Sequence, residues 1–101
     1  MERREYSLDE LRNKAEAYCA RAERCPLQVS HKLYEWGADS DTRETIVAQL
    51  EEQGYIDTAR FCRAFVHDHH LINHWPKEKI AAKLYQLRLP GNDIADAMRE
   101  L

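Results

Sequence analysis

The stretch Gly54-Tyr55-Ile56-Asp57-Thr58-Ala59-Arg60-Phe61-Cys62-Arg63-Ala64-Phe65-Val66 combines the end of one helix with the start of the next. Gly54 follows a polar run and stands where a helix ends in a left-handed residue, a conformation that glycine adopts without steric cost. Asp57 can accept a hydrogen bond from the free amides of a new first turn, so it is a predicted N-cap. Beyond Asp57 the apolar residues recur with a helical period, so the stretch predicts two helices joined by a tight turn.

The residues after Asp57 divide into two faces if the helix continues without a break at roughly 100° per residue. The face expected to be buried consists of Phe61, Cys62, Phe65, Val66, His69, Ile72 and Asn73. The opposite, cationic face consists of Arg60, Arg63, His67, His70 and His74. Leu71 falls outside the apolar face. His69 lies within it and is predicted to be a core histidine bonded to a carbonyl.

Helix-start signals predict six helices in all, and the expected fold has no strand. The predicted starts are the capping box Ser7–Glu10, Pro26, the run Asp39-Ser40-Asp41, Asp57, Pro76 and Asn92. Buried positions expected on these helices are Leu33, Trp36, Leu50, Phe61, Phe65, Ile72, Ile80 and Leu84. Each helix is short and carries one narrow apolar stripe, so the helices must pack against one another to be stable.

The two halves of the chain share a pattern that indicates an internal duplication. Leu11, Ala15 and Pro26 correspond to Phe61, Phe65 and Pro76 at a shift of 50 residues. Lys32-Leu33-Tyr34 corresponds to Lys83-Leu84-Tyr85 at a shift of 51, with the extra residue expected just after the prolines. We therefore predict an all-α protein of six helices in two tandem three-helix units, residues 1–53 and 54–101.

Composition and residue spacing exclude several classes of protein. No apolar run approaches the length of about 18 residues that spans a bilayer, and the three cysteines lack metal-ligand spacing. The expectation is a cytoplasmic protein with reduced thiols and no membrane association. No nucleophile stands beside a positioned base, and there is no glycine-rich phosphate loop. His70 and His74 could bind a metal ion, but the sequence places no further ligand to complete a metal site. We expect no catalytic residue, no metal, no cofactor and no small-molecule substrate.

The positive charge is concentrated in the second half of the chain. Residues 1–53 hold 8 Lys and Arg against 12 Asp and Glu, whereas residues 60–88 hold 6 against 2. Such a stripe is often just a solvated face, yet a surface built for solubility alone interleaves both signs. An acidic or phosphate-bearing partner is therefore expected here. The candidate partner-binding residues are Arg60, Arg63, His67, His70, His74, Lys77, Lys79, Lys83 and Tyr85.

The central stretch and the residues after it resemble the RecX family, small all-helical regulators of the RecA recombinase. The resemblance rests on Gly54, Tyr55, Asp57, Arg60, Phe61, Ala64, Phe65, Val66, Asn73, Trp75, Lys79, Ile80 and Leu84. Thr58 departs from the pattern where an acidic residue is usual, and Pro76 departs where Gly is expected. Many members have three three-helix units, so the resemblance implies that a third unit is missing and that the last helix exposes Ile94 or Met98.

The resemblance implies a function as well as a fold. A RecX-like protein binds the RecA filament on single-stranded DNA and dampens its strand exchange and its ATP hydrolysis. The alternative is a trihelical DNA-binding module that contacts DNA directly, since three short helices with a basic outer helix also describe many major-groove readers. A groove reader is basic throughout, whereas the first half of this chain is acidic, which favours a protein partner.

Overall fold

The computed structural model describes residues 5–101, which form six α-helices, one π-helical turn and no strand. The helices are α1 (Leu8–Arg21), α2 (Pro26–Glu35), α3 (Ser40–Glu52), α4 (Thr58–His67), α5 (Lys77–Gln86) and α6 (Gly91–Met98). The π-turn, Asp68–Ile72, directly follows α4. The predicted all-α class is confirmed. Across residues 5–101, no helix has the length and apolar character that crossing a membrane requires.

The chain divides into two compact units, of which the first ends at Ile56 and the second runs from Asp57 to Leu101. Each unit therefore contains three α-helices. The first consists of α1, α2 and α3, and the second consists of α4 with its π-turn, α5 and α6.

Local capping fixes where the helices of the first unit begin. The amide of Glu10 donates to Ser7 Oγ and the amide of Ser7 donates to Glu10 Oε1, both at 3.1 Å, which completes the predicted capping box. Asp39 accepts the amide of Thr42 at 2.8 Å to start α3. That hydrogen bond stabilises the carboxylate and holds the pKa of Asp39 below its usual value.

The first unit has a core to which all three helices contribute. The buried cluster consists of Leu11, Ala15, Val29, Leu33, Ala38, Ile46, Leu50 and Ile56. Leu33 and Leu50 are buried as predicted, whereas Trp36 is only partly buried at the edge of this cluster. The indole of Trp36 meets the ring of Tyr18 edge-on, with centroids 6.5 Å apart. The large aromatic side chains thus surround the core instead of filling it.

The second unit is built around the buried stripe of α4. Its buried residues are Phe61, Cys62, Val66, Ile80, Leu84, Leu89, Ile94 and Ala97. The expectation that the last helix exposes Ile94 is wrong, because Ile94 is 1% exposed, and Met98 is partly buried. Thr58 Oγ1 donates to Asp93 Oδ2 at 2.5 Å and so links the first turns of α4 and α6. An ionised acidic residue at position 58 could not donate that hydrogen bond.

The last helix begins differently from the prediction. Asn92 is not its N-cap, since α6 starts at Gly91 and the cap position is Pro90, which has no side-chain hydrogen bond to offer. Pro90 has the φ of −57° that its ring imposes. The preceding Leu89 is buried, so packing and the fixed φ of the proline set the start of this helix.

The internal repeat is visible in matching local structure. The N-caps Ser7 and Asp57 are 50 residues apart, whereas the C-caps Trp36 and Leu87 are 51 apart. The extra residue lies before the prolines and not after them as predicted. Pro26 is the first residue of α2, whereas Pro76 is the N-cap of α5, so the two prolines are not equivalent.

Leu33 and Leu84 occupy equivalent, fully buried positions at the centres of the two units. We expect Leu33→Ala and Leu84→Ala each to lower the free energy of unfolding of their own unit by about 2–5 kcal/mol, because each leaves a cavity. Urea denaturation followed by circular dichroism measures the loss. The exposed Leu71 provides the control, and Leu71→Ala should change stability by less than about 0.5 kcal/mol. Equal losses at all three positions would contradict the assigned core.

The residue after the C-cap of the second helix is left-handed in both units. In the first unit it is Gly37, with φ 90°, and in the second it is Arg88, with φ 58°. A non-glycine residue pays a steric cost in this region, so we expect Arg88→Gly to stabilise the second unit by about 0.5–1 kcal/mol. The reverse change, Gly37→Arg, should destabilise the first unit by about 1 kcal/mol. Both are measured as shifts of the urea midpoint, and a destabilised Arg88→Gly protein would contradict the assignment.

Candidate partner-binding surface

The first part of the predicted cationic face is present on α4. Arg60, Arg63 and His67 lie opposite the buried stripe that contains Phe61 and Val66. Two of the three cationic side chains have an acidic neighbour. Arg60 Nη1 lies 3.9 Å from an oxygen of Asp57, and His67 Nδ1 lies 3.3 Å from an oxygen of Asp68.

The π-turn interrupts the face that the sequence predicts to be continuous. The amide of Asn73 donates to the carbonyl of Asp68, five residues back, at 3.1 Å. Each residue of this wider turn rotates the chain about the helix axis by less than in an α-helix. A projection at 100° per residue therefore assigns residues late in the π-turn and after it to the wrong face. Ile72, predicted to be buried, is 65% exposed, and Leu71 beside it is 58% exposed. The prediction for Ile72 is wrong for this reason.

The cationic residues at the end of the predicted stripe do not share its face. His70 is partly buried, and its Nδ1 atom is shielded from solvent with no hydrogen-bond partner among residues 5–101. His74 lies beyond the helix in a left-handed conformation with φ 57°. The structure therefore brings Arg60, Arg63 and His67 together on α4 and separates His70 and His74 from them.

The π-turn closes onto a column of aromatic rings. Phe65 stacks on Phe61, with centroids 5.8 Å apart, and the imidazole of His69 lies 4.1 Å from the ring of Phe65. The indole of Trp75 stacks on His69 at 4.0 Å and meets the ring of Phe65 edge-on at 6.2 Å. Lys79 Nζ lies 4.2 Å from the centroid of Trp75. We call Phe61, Phe65, His69 and Trp75 the aromatic column.

The aromatic column corrects the predicted roles of two residues. His69 is not bonded to a carbonyl through its ring, because the side-chain nitrogen of Asn73 lies 2.9 Å from its Nδ1. Phe65, which was predicted to be buried, is only partly buried. The spacing of Phe65 and His69, four residues apart, was a sequence signal for their contact. The contact with Trp75 depends on the π-turn and had no such signal.

Helix α5 presents the second group of candidate residues. Ile80 and Leu84 face the core, and the exposed residues are Lys77, Glu78, Lys79, Ala82, Lys83, Tyr85 and Gln86. Lys79 is held against Trp75. Within the part of the chain that the structure describes, Lys77 and Lys83 form no ion pair.

Several exposed cations of the second unit have no acidic partner in the described part of the chain. Among residues 5–101 the side chains of Arg63, Lys77, Lys83 and Arg88 have no ion pair. Arg88 was not among the predicted site residues, although the charge count over residues 60–88 includes it. We define the basic surface of the second unit as these four residues together with Arg60, His67 and Lys79.

In the first unit, cationic side chains pack onto aromatic rings. Lys14 Nζ lies 4.7 Å from the ring centroids of both Tyr6 and Trp36, and the guanidinium of Arg24 lies 3.9 Å from that of Tyr18. Sequence reasoning did not detect this cluster. Because these cations contact rings of their own unit, they add little to a polyanion-binding surface, which agrees with the acidic charge of this half.

The described residues give no geometric support to a catalytic or metal site. No three metal-ligating side chains come together within residues 5–101. Cys25 and Cys62 are buried, and burial raises the pKa of the Cys25 thiol, which favours the protonated, unreactive form.

The described residues form two three-helix units in tandem, and the second unit carries exposed cations that have no acidic neighbour among residues 5–101. Residues 57–98 match the family model described as RecX, second three-helix domain. The second unit is therefore similar to the second three-helix domain of RecX, and the resemblance to the RecX family predicted from the sequence is confirmed.

A comparison with solved structures also finds a similar fold. The fold is similar to the crystal structure of regulatory protein RecX, with a TM-score of 0.78 and 22% sequence identity. The match covers 92% of this chain and 48% of that one, so the chain spans about half the length of the structure it matches. At this identity the similarity shows the fold alone. No curated protein matches the sequence.

The π-turn accounts for the extra residue of the second unit, and a deletion can test this. Without Leu71 the bond from Asn73 to Asp68 spans four residues, as in an α-helix. The bond from Trp75 to His69 then spans five, as in a common helix C-terminus. We expect the Leu71 deletion to leave the second unit folded, with a melting temperature within about 8 °C of the original.

Deleting Arg63 from α4 is the matched control, because both residues are exposed. That deletion rotates Phe61 away from Val66 by about 100° and should unfold the second unit. Circular dichroism and thermal melting distinguish the two variants. If both deletions unfold the unit, the π-turn is not where the extra residue is accommodated.

Proposed function

We propose that this protein binds a RecA-type recombinase filament on single-stranded DNA and modulates, chiefly by inhibition, its strand exchange and ATP hydrolysis. The proposal is supported above all by the match of residues 57–98 to the second three-helix domain of RecX. It places the activity in the cytoplasm. It requires no cofactor and no catalytic residue, since binding energy alone can shift the populations of filament states.

The charge distribution favours a composite partner of protein and nucleic acid. The basic surface supplies Arg63, Lys77 and Lys83 as cations without an acidic neighbour among residues 5–101. Such groups lower the cost of approaching a phosphate backbone or an acidic protein surface. The first half of the chain has an excess of four negative charges, and this excess opposes binding to bare DNA.

Direct binding to DNA is the alternative function. The exposed lysines of α5, the second helix of the second unit, favour it, because phosphate contacts from lysine supply sequence-independent affinity. A comparison of naked duplex with recombinase-coated single-stranded DNA separates the two functions. The proposal expects the coated strand to be bound at least tenfold more tightly at the same salt concentration.

Arg63 should contribute more to binding than Arg60, because the guanidinium of Arg60 already has Asp57 as a neighbour. We expect Arg63→Ala to weaken binding to the filament by about three- to tenfold at low salt, and Arg60→Ala by less. The difference between the wild type and Arg63→Ala should shrink as salt rises, since screening weakens the lost interaction. Fluorescence anisotropy with a preformed filament, at several salt concentrations, measures the affinities.

Arg21→Ala provides the matched control, because Arg21 is an exposed arginine in the last turn of α1, in the first unit. It should leave affinity within about twofold, and thermal melting should show that all three variants stay folded. Inhibition of ATP hydrolysis should follow the same order as affinity. Affinity that responds to Arg21 but not to Arg63 would place the interface on the first unit instead.

A further inference from the structure

The tripeptide Lys-Leu-Tyr occurs once in each unit, as Lys32-Leu33-Tyr34 and Lys83-Leu84-Tyr85. The central leucines are both fully buried, so their identity follows from packing. The tyrosines are 61% and 60% exposed, so packing within the unit does not explain why both are tyrosine.

The two tyrosines have the same local backbone structure. In each unit the tyrosine carbonyl accepts the amide of the left-handed residue three positions later, Gly37 at 2.9 Å or Arg88 at 3.0 Å. Because the backbone ends the helix in the same way in both units, Tyr34 and Tyr85 occupy equivalent positions in their units.

The rest of the solvent-facing sequence differs between the repeats. When residues 26–50 are aligned with 77–101, the identical positions are Lys32/Lys83, Leu33/Leu84, Tyr34/Tyr85 and Leu50/Leu101. Two of these four pairs are buried or partly buried leucines. Lys32 is half-buried and lies 3.4 Å from Glu35, whereas Lys83 forms no ion pair among the described residues. Of these four pairs, the tyrosines are thus the exposed pair that shares both its exposed fraction and its local backbone hydrogen bond.

Tyr34 has a guanidinium beside its ring, whereas Tyr85 has an arginine three residues later in the chain, and the two arginines are not equivalent in the repeat. The guanidinium of Arg43 lies 5.4 Å from the ring of Tyr34 and donates to the carbonyl of Ala38 at 2.8 Å. Arg88 follows Tyr85 by three residues and its amide bonds to the carbonyl of Tyr85. Tyrosine and arginine are among the residue types that are enriched where a few side chains carry most of the energy of a protein–protein contact.

We propose that Tyr34 with Arg43, and Tyr85 with Arg88, form two equivalent docking points for the same apolar, acid-rimmed pocket of a protein partner. Two equivalent points on one chain fit a partner that repeats the pocket, which a filament of identical subunits does. The proposal rests on the proposed function and adds which residues carry the contact with protein. The pocket must accept an aromatic ring, and its acidic rim complements the guanidinium.

Alanine substitutions of the two tyrosines test the proposal on the filament. Tyr34→Ala and Tyr85→Ala should each weaken binding about tenfold, and the double variant should weaken it more than either, because the two points reinforce each other through effective concentration. Leu71→Ala is the control, since Leu71 is 58% exposed and is not among the candidate partner-binding residues. Thermal melting checks that all variants are folded.

A recombinase subunit that cannot polymerise provides the decisive comparison. It offers one pocket, so either tyrosine can occupy it, and each single variant should lose no more than about twofold while the double variant loses binding. If only one tyrosine affects affinity for the filament, or if the double variant binds like the wild type, the docking points are overturned and the proposed function stands. If the wild type does not bind the filament at all, both the proposed function and the docking points fail.

Discussion

The phase of the buried stripe around each helix is the constraint on which this structure depends. The helices have 8 to 14 residues, and isolated helices of that length are marginal in water. Each is stabilised by a few apolar side chains that must point at its two neighbours, as Phe61 and Val66 do on α4. A shift of one residue turns a stripe by about 100° and removes it from the core. Capping residues such as Ser7 and Asp57 therefore matter, because they fix where each stripe begins.

The second unit keeps this phase despite one additional residue relative to the first. The π-turn absorbs the residue after the last buried position of α4, Val66, and before the first of α5, Ile80. The residues on either side remain in register, whereas those within it lose their helical face. Leu71 and Ile72 are exposed, and His69 is directed into the aromatic column beside Trp75. A local accommodation of length thus determines the surface that the second unit presents.

The sequence predicted the features that local chemistry decides. The caps Ser7, Asp39 and Asp57, the glycine stop at Gly54 and the buried leucines Leu33 and Leu84 follow from spacing and residue type, and these were found. The predictions for Ile72 and His69 failed because they assumed one continuous α-helix. No residue pattern in this stretch of the sequence indicates a π-turn. The start of α6 failed because buried Leu89 and Pro90 decide it. On the surface, sequence identified the cations but not which of them have acidic or aromatic neighbours.

The aromatic packing also gives each unit an optical reporter of its own. The chain has two tryptophans, Trp36 in the first unit and Trp75 in the second. The indole of Trp36 lies beside the ammonium group of Lys14, and that of Trp75 is stacked on an imidazole with Lys79 over its ring. Their emission therefore depends on different neighbours. Replacing one indole by phenylalanine leaves a fluorophore that follows the opening of a single three-helix unit, so the cooperativity between the two halves becomes measurable without any added dye.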